Sequence, residues 1–304
     1  MSTISLEQTR PAAHGARTAL ALAAAIFASP LPDVLWAQFF GTVPGWLIAL
    51  KAAGVGGCLL ASWVWKGLAP LRSFLILLAL NMLGWWALPV VRAAGFWSAW
   101  EASVSWAEGM SGIQVLKLAV ALMMLAALFI LYRRRAAFFF TLGRMNAGMD
   151  PVAWLGVRRG TSWKSFAPVF ALISAAVMLA VLALTAPPGL PGRFQALPLL
   201  PVAVLLAAAN AFSEEVIFRA ALLAPLETAL GKGQALAVTA VFFGLAHTAG
   251  GVPLEVIPTA LMTGFLGWVM GKSVLETRGL AWAWFIHFAN DIPPFLFLGL
   301  AAAS

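Results

Sequence analysis

The chain alternates long apolar runs with short polar ones, and nine of the runs approach the ~20 residues a helix needs to cross a bilayer. They lie near residues 18–36, 45–65, 73–92, 112–132, 166–186, 198–223, 234–248, 254–271 and 279–300. The first is interrupted by Pro30, Pro32 and Asp33, and the seventh is short. The expected fold class is all-α: a polytopic transmembrane helical bundle of eight or nine spans. Three regions follow: residues 1–132 with four spans, a basic and aromatic loop at 133–165, and a helical bundle at 166–304.

The positive-inside rule supports this division. With the N-terminus in the cytoplasm and strict alternation, the inner segments hold Arg10, Arg17, Lys66, Arg72, Arg133, Arg134, Arg135, Arg144, Arg158, Arg159, Lys164, Lys232, Lys272 and Arg278. The outer segments hold Arg92 and Arg193. Loop 133–165 mixes Arg and Lys with Phe and Trp, so part of it is expected along the cytoplasmic interface, aromatics inserted among the headgroups. Lys51 and Lys117 lie five or six residues inside their spans, where long side chains are expected to reach back toward the headgroups.

Composition agrees with a membrane class. The chain of 304 residues is 62% hydrophobic and 10% charged, against about 25% charged in soluble domains. Many of the 14 tryptophans stand near the ends of apolar runs, as in an interfacial belt. A net charge of +8 in a soluble protein would suggest nucleic acid; here the basic residues flank apolar spans and read as topology and contact with anionic headgroups. A nucleic-acid partner is not expected. Cys58 is the single cysteine, which excludes an intrachain disulfide. The basic N-terminus leads into a first span read as retained rather than as a cleaved signal. The Ala-, Gly- and Pro-rich style points to a bacterial inner membrane.

The second half concentrates the polar residues that a bilayer disfavours. Insertion scales put a mid-membrane charge at about 2.5–3.5 kcal/mol, so a span that keeps several uses them. The sixth run carries Asn210, Ser213, Glu214, Glu215 and Arg219. Glu215 and Arg219 are four apart and share a helix face; Glu214 points elsewhere and can face a cavity. The seventh run ends with Phe243 and His247, and the ninth carries His287, Asn290 and Asp291. At about 1.5 Å per residue, Glu214, His247 and His287 lie about 13, 20 and 12 Å from the cytoplasmic ends of their spans. Tilt can bring these to one depth, nearer the cytoplasmic face.

This ordered set resembles the CAAX-protease and bacteriocin-processing (CPBP) intramembrane proteases, a family that includes the eukaryotic CAAX prenyl endopeptidases. Their motifs are EExxxR, FxxxH and HxxxN or HxxxD. Here they correspond to Glu214-Glu215-xxx-Arg219, Phe243-xxx-His247 and His287-xxx-Asp291, on three separate runs between residues 198 and 295. Asn290 stands one position before Asp291, and either can be the polar partner of His287. The first half carries no recognised motif.

The resemblance implies peptide-bond hydrolysis by an activated water, and elementary chemistry is compatible with it. A carboxylate kept from bulk water becomes a useful base near neutral pH. Glu214 with His247 would deprotonate the water, and His287 with Asn290 or Asp291 would hold the developing oxyanion. Glu215 with Arg219 would support the site, as would Phe243. The expectation is a mechanism without a cofactor. The alternative is a catalytic zinc held by Glu214, His247 and His287, although no HExxH pair is present. The expected substrate is a membrane-associated protein or peptide. Two other readings compete: a transporter with buried charges, and a catalytically silent scaffold or immunity protein of the same fold. TAGGVP at 248–253 and DIPPF at 291–295 are candidate gates.

Overall fold

The computed structural model describes residues 11–187, 196–248 and 253–303. It is all-α, a polytopic helical bundle. In chain order the helices are α1 (Pro11–Ala28), α2 (Leu31–Phe40), α3 (Trp46–Val64), α4 (Arg72–Ala93), α5 (Gly95–Ser103), α6 (Trp106–Tyr132), α7 (Trp163–Thr185), α8 (Leu200–Glu215), α9 (Ala224–Leu230), α10 (Lys232–Ala246), α11 (Pro253–Thr277) and α12 (Ala281–Ala303). A π-helix, Val216–Leu223, joins α8 to α9.

Among the described residues, six helical segments are long and apolar enough to cross a membrane, or seven if α1 and α2 form one bent span. The shorter apolar helix is α10, and α11 is 25 residues long. Each of the nine apolar runs is therefore helical. The break expected at Pro30 and Pro32 is a 57° bend between α1 and α2. Ser29 Oγ donates to the Ile26 carbonyl and accepts from Leu31 N–H, occupying backbone groups that the bend exposes. Arg10, Arg193 and the central residues of TAGGVP lie outside the described residues. The DIPPF segment is not a break: Pro293 and Pro294 stand inside continuous α12.

The chain forms two compact units. The first comprises Met1–Met82 and Leu222–Trp268. Within it α1 packs on α3, α9 and α10. The α10–α11 contact is close because it is built on small residues: a Cβ added to Gly244 would stand 2.4 Å from the Ala260 carbonyl oxygen, and one on Gly267 would stand 2.8 Å from the Phe243 ring. Lys51 does not reach outward. It is buried in α3 and paired with Asp33 of α2, because a lysine in an apolar layer is stabilised by the nearest carboxylate.

The second unit comprises Leu83–Ala221 and Val269–Ser304. Here α12 lies against α8 and α7, and α6 against α8. Ala203, Leu206, Ala207 and Phe295 form the buried seam, flanked by Trp106, Met110 and Ile292. The start of α6 is set by a capping box, in which Ser105 Oγ accepts from Glu108 N–H and Glu108 accepts from Ser105 N–H.

Loop 133–165 is pinned to the turn between α11 and α12. Arg144 N–H donates to the Thr277 carbonyl at 2.8 Å, Leu280 N–H to Thr141 at 2.9 Å, and Trp282 Nε1 to Met145 at 3.0 Å. Gly143 and Gly279 touch backbone to backbone, too close for a Cβ on either. Trp163 Nε1 donates to Glu276 at 2.7 Å. Phe138, Phe139 and Trp163 are fully buried. These three aromatics pack inside the protein, where the turn offers the loop hydrogen-bond partners and an apolar bed, while Trp154 of the same loop is exposed.

Candidate active site

The second unit gathers a buried cluster of charge. Glu214 and Glu215 end α8, Arg219 lies one turn on in the π-helix, Lys117 stands on α6, and His287 and Asp291 stand on α12. The α8–α12 seam of Ala203, Leu206, Ala207 and Phe295 sets the register that brings the polar side chains together. A π-helix immediately after the two glutamates is a local departure from regular winding, of the kind that recurs at functional sites.

Arg219 Nη1 lies 3.0 Å from Glu215 Oε1, so the expected pairing across four residues is made. His287 Nδ1 lies 2.8 Å from the same oxygen. A carboxylate accepts, so Nδ1 carries the proton in that bond. His287 Nε2 then faces two more acids, Glu214 Oε2 and Asp291 Oδ2, each at 3.6 Å. Asn210 Nδ2 donates to Asp291 at 2.8 Å. Glu214, Glu215, Arg219 and His287 are all at least 95% buried.

The ambiguity between Asn290 and Asp291 has a geometric answer. Asp291 is the residue beside His287. The Asn290 amide turns to α7, donating to Ser174 Oγ at 2.9 Å and to the Ile286 carbonyl. Its carbonyl oxygen has no hydrogen-bond partner. Helix periodicity explains the choice: Asp291 is one turn from His287, whereas Asn290 is rotated off that face.

Lys117 is the residue that sequence reasoning misjudged. Its ammonium lies 2.7 Å from Glu214 Oε1 and also bonds Asn210 Oδ1. It stands 5.4 Å from the centre of the Trp85 ring. Helix α6 begins at Trp106 rather than near residue 112, which puts Lys117 about 9 Å deeper in the helix than the apolar run implied. A lone lysine at that depth calls for a counter-charge, and that was the available signal. Glu214, expected to be left unpaired, is in contact with this lysine.

His247 belongs to the first unit, at the exposed end of α10. Its Nδ1 lies 2.7 Å from the Phe243 carbonyl oxygen, and the two rings are 4.5 Å apart. Because a carbonyl only accepts, Nδ1 is the protonated nitrogen in that bond, and Nε2 is the basic one in the neutral ring. Phe243 thus supports His247 through its main chain as well as its ring.

A cavity of about 540 Å³ in the second unit reaches the cluster. Glu215 lines it together with Phe212, Trp284, Phe285 and Phe140, and Arg135 lines it too. Glu215 is buried and Arg135 exposed, so the cavity leads from Glu215 toward the basic loop. Among the described residues, no group of three or more His, Cys, Asp or Glu side chains is placed to hold a metal ion. Of the donors expected for zinc, Glu214 and His287 lie in this unit and His247 in the first, and Lys117 lies 2.7 Å from Glu214 Oε1.

Residues 195–293 match the family model of the type II CAAX prenyl endopeptidase Rce1-like proteins. The match spans about a third of the chain and includes all three motifs. No curated protein and no solved structure matches the chain.

Proposed function

We propose that the chain, whose residues 195–293 match the type II CAAX prenyl endopeptidase Rce1-like family model, is an intramembrane endopeptidase of the CPBP/CAAX type that cuts a membrane-associated protein or peptide by a glutamate-activated water. The observation that carries the proposal is the Glu214–His287–Asp291 contact set, buried between apolar helices and joined through His287 to Glu215, which lines a cavity.

In this reading Glu214 is the general base, and its Oε2 faces the position where water would sit beside His287. As the carbonyl is attacked, negative charge grows on its oxygen, and an Nε2–H on His287 donates to it. The ring can donate there while Nδ1 stays bound to Glu215 only when both nitrogens are protonated, and Glu214, Glu215 and Asp291 surround it with compensating charge. Proton return to the leaving amine goes through Glu214. Glu215 and Arg219 hold His287 at its Nδ1 side. The substrate chain lies in the cavity, with an apolar side chain against Phe212, Trp284 and Phe285.

The test compares protein termini in membranes and medium of cells carrying wild type or Glu214→Ala. Termini present only with wild type support the protease and identify its substrate. Identical termini at equal expression remove it and favour a transporter or a silent scaffold. Cleavage by purified protein is expected to survive a strong zinc chelator; loss restored by added zinc would replace the metal-free mechanism.

A further inference from the structure

We propose that Lys117 is a positioning residue of the active site: it keeps Glu214 ionised and aimed at the water. The proposal rests on the reading of Glu214 as the base. It extends the site beyond the matched segment, to α6.

Among the described residues, Lys117 from α6 and His287 from α12 face Glu214, and Glu215 from α8, Arg219 from the π-helix and Asp291 from α12 belong to the same cluster. α7 contributes the neutral Ser174 to this region. Three carboxylates therefore share two permanent cations. Arg219 sits on Glu215 at 3.0 Å, and Lys117 sits on Glu214 at 2.7 Å. Without Lys117, two adjacent buried glutamates and Asp291 would share one permanent cation, and a proton on Glu214 would become the cheapest remedy. A protonated Glu214 cannot accept a proton from water.

The aim is set as well. Lys117 binds Oε1 and also the Asn210 carbonyl oxygen, while Asn210 Nδ2 holds Asp291. That leaves Oε2 as the oxygen turned to His287 Nε2. One lysine thus orients the base directly, and the acid beside His287 through Asn210. Its side chain is fixed in turn by the Trp85 ring.

The experiment uses the full chain, purified in detergent, as wild type, Lys117→Met, Lys117→Arg, Glu214→Gln and the Lys117→Met/Glu214→Gln double variant. The probe is a quenched fluorescent peptide carrying the site whose cleavage depends on Glu214. Lys117→Met should lower kcat on the order of 10²-fold while KM changes less than about threefold. Lys117→Arg should retain at least about a tenth of kcat, because it restores the charge. Thermal midpoints should couple: Lys117→Met lowers the midpoint in wild type but not in the Glu214→Gln background, where no carboxylate is left stranded. Wild-type kcat in Lys117→Met overturns the proposal, and so does an equal midpoint shift in both backgrounds. If wild type cleaves no peptide, the protease reading fails separately, and the midpoint coupling still decides whether Lys117 holds Glu214.

Discussion

Both units bury charge among apolar helices, and they do so differently. In the first, Lys51 and Asp33 form a pair between neighbouring helices, one cation to one carboxylate, with Asp33 about a third exposed. In the second, Glu214, Glu215 and Asp291 share Lys117, Arg219 and the imidazole of His287, and a cavity reaches the group. A matched pair sets its attraction against the cost of its own desolvation. A cluster with more carboxylates than permanent cations leaves, on the proposed reading, one carboxylate, Glu214, to take up a proton.

The comparison is broken or sharpened by substitution. The largest effect is expected from Glu214→Gln, which should reduce kcat by about 10²–10⁴-fold with insertion unchanged and a lower thermal midpoint, since Lys117 loses its carboxylate; a fully active variant would remove Glu214 as base. His287→Ala should follow at about 10²–10³-fold, read by the same peptide assay. Arg219→Ala leaves Glu215 with a buried charge and should cost about 3–5 kcal/mol of stability, seen as a lower denaturation midpoint together with lost activity. Lys51→Met should cost only about 1 kcal/mol, since solvent screens the part-exposed Asp33, and should leave kcat unchanged. That contrast is the sharpest statement of the difference between the two regions. Smallest is the choice within one motif: Asp291→Ala should slow cleavage, whereas Asn290→Ala should chiefly lose its Ser174 bond, about 1 kcal/mol. The reverse order would return the oxyanion role to Asn290.

Much of the architecture was legible because bilayer chemistry leaves so few choices. Apolar runs of span length, charges placed between them and prolines at 30 and 32 announced the helices and the bend. The Glu215–Arg219 pair and the common depth of Glu214 and His287 were legible too, because both follow from spacing along a helix. The loop at 133–165 was not. Its aromatics suit a headgroup layer as well as a protein interior, and nothing local shows that a turn 130 residues later carries the matching carbonyls.

What the sequence determined by itself was therefore the class, the helices and the residues with chemistry to offer. Each depends on composition or on a period within one segment. The tertiary structure decided which of those residues meet. It put Lys117 on Glu214, Asp291 rather than Asn290 beside His287, and Phe138, Phe139 and Trp163 inside the protein. These are contacts between segments far apart in the chain. Their register is set by side-chain packing along the α6–α8–α12 seam, a property that no single helix carries.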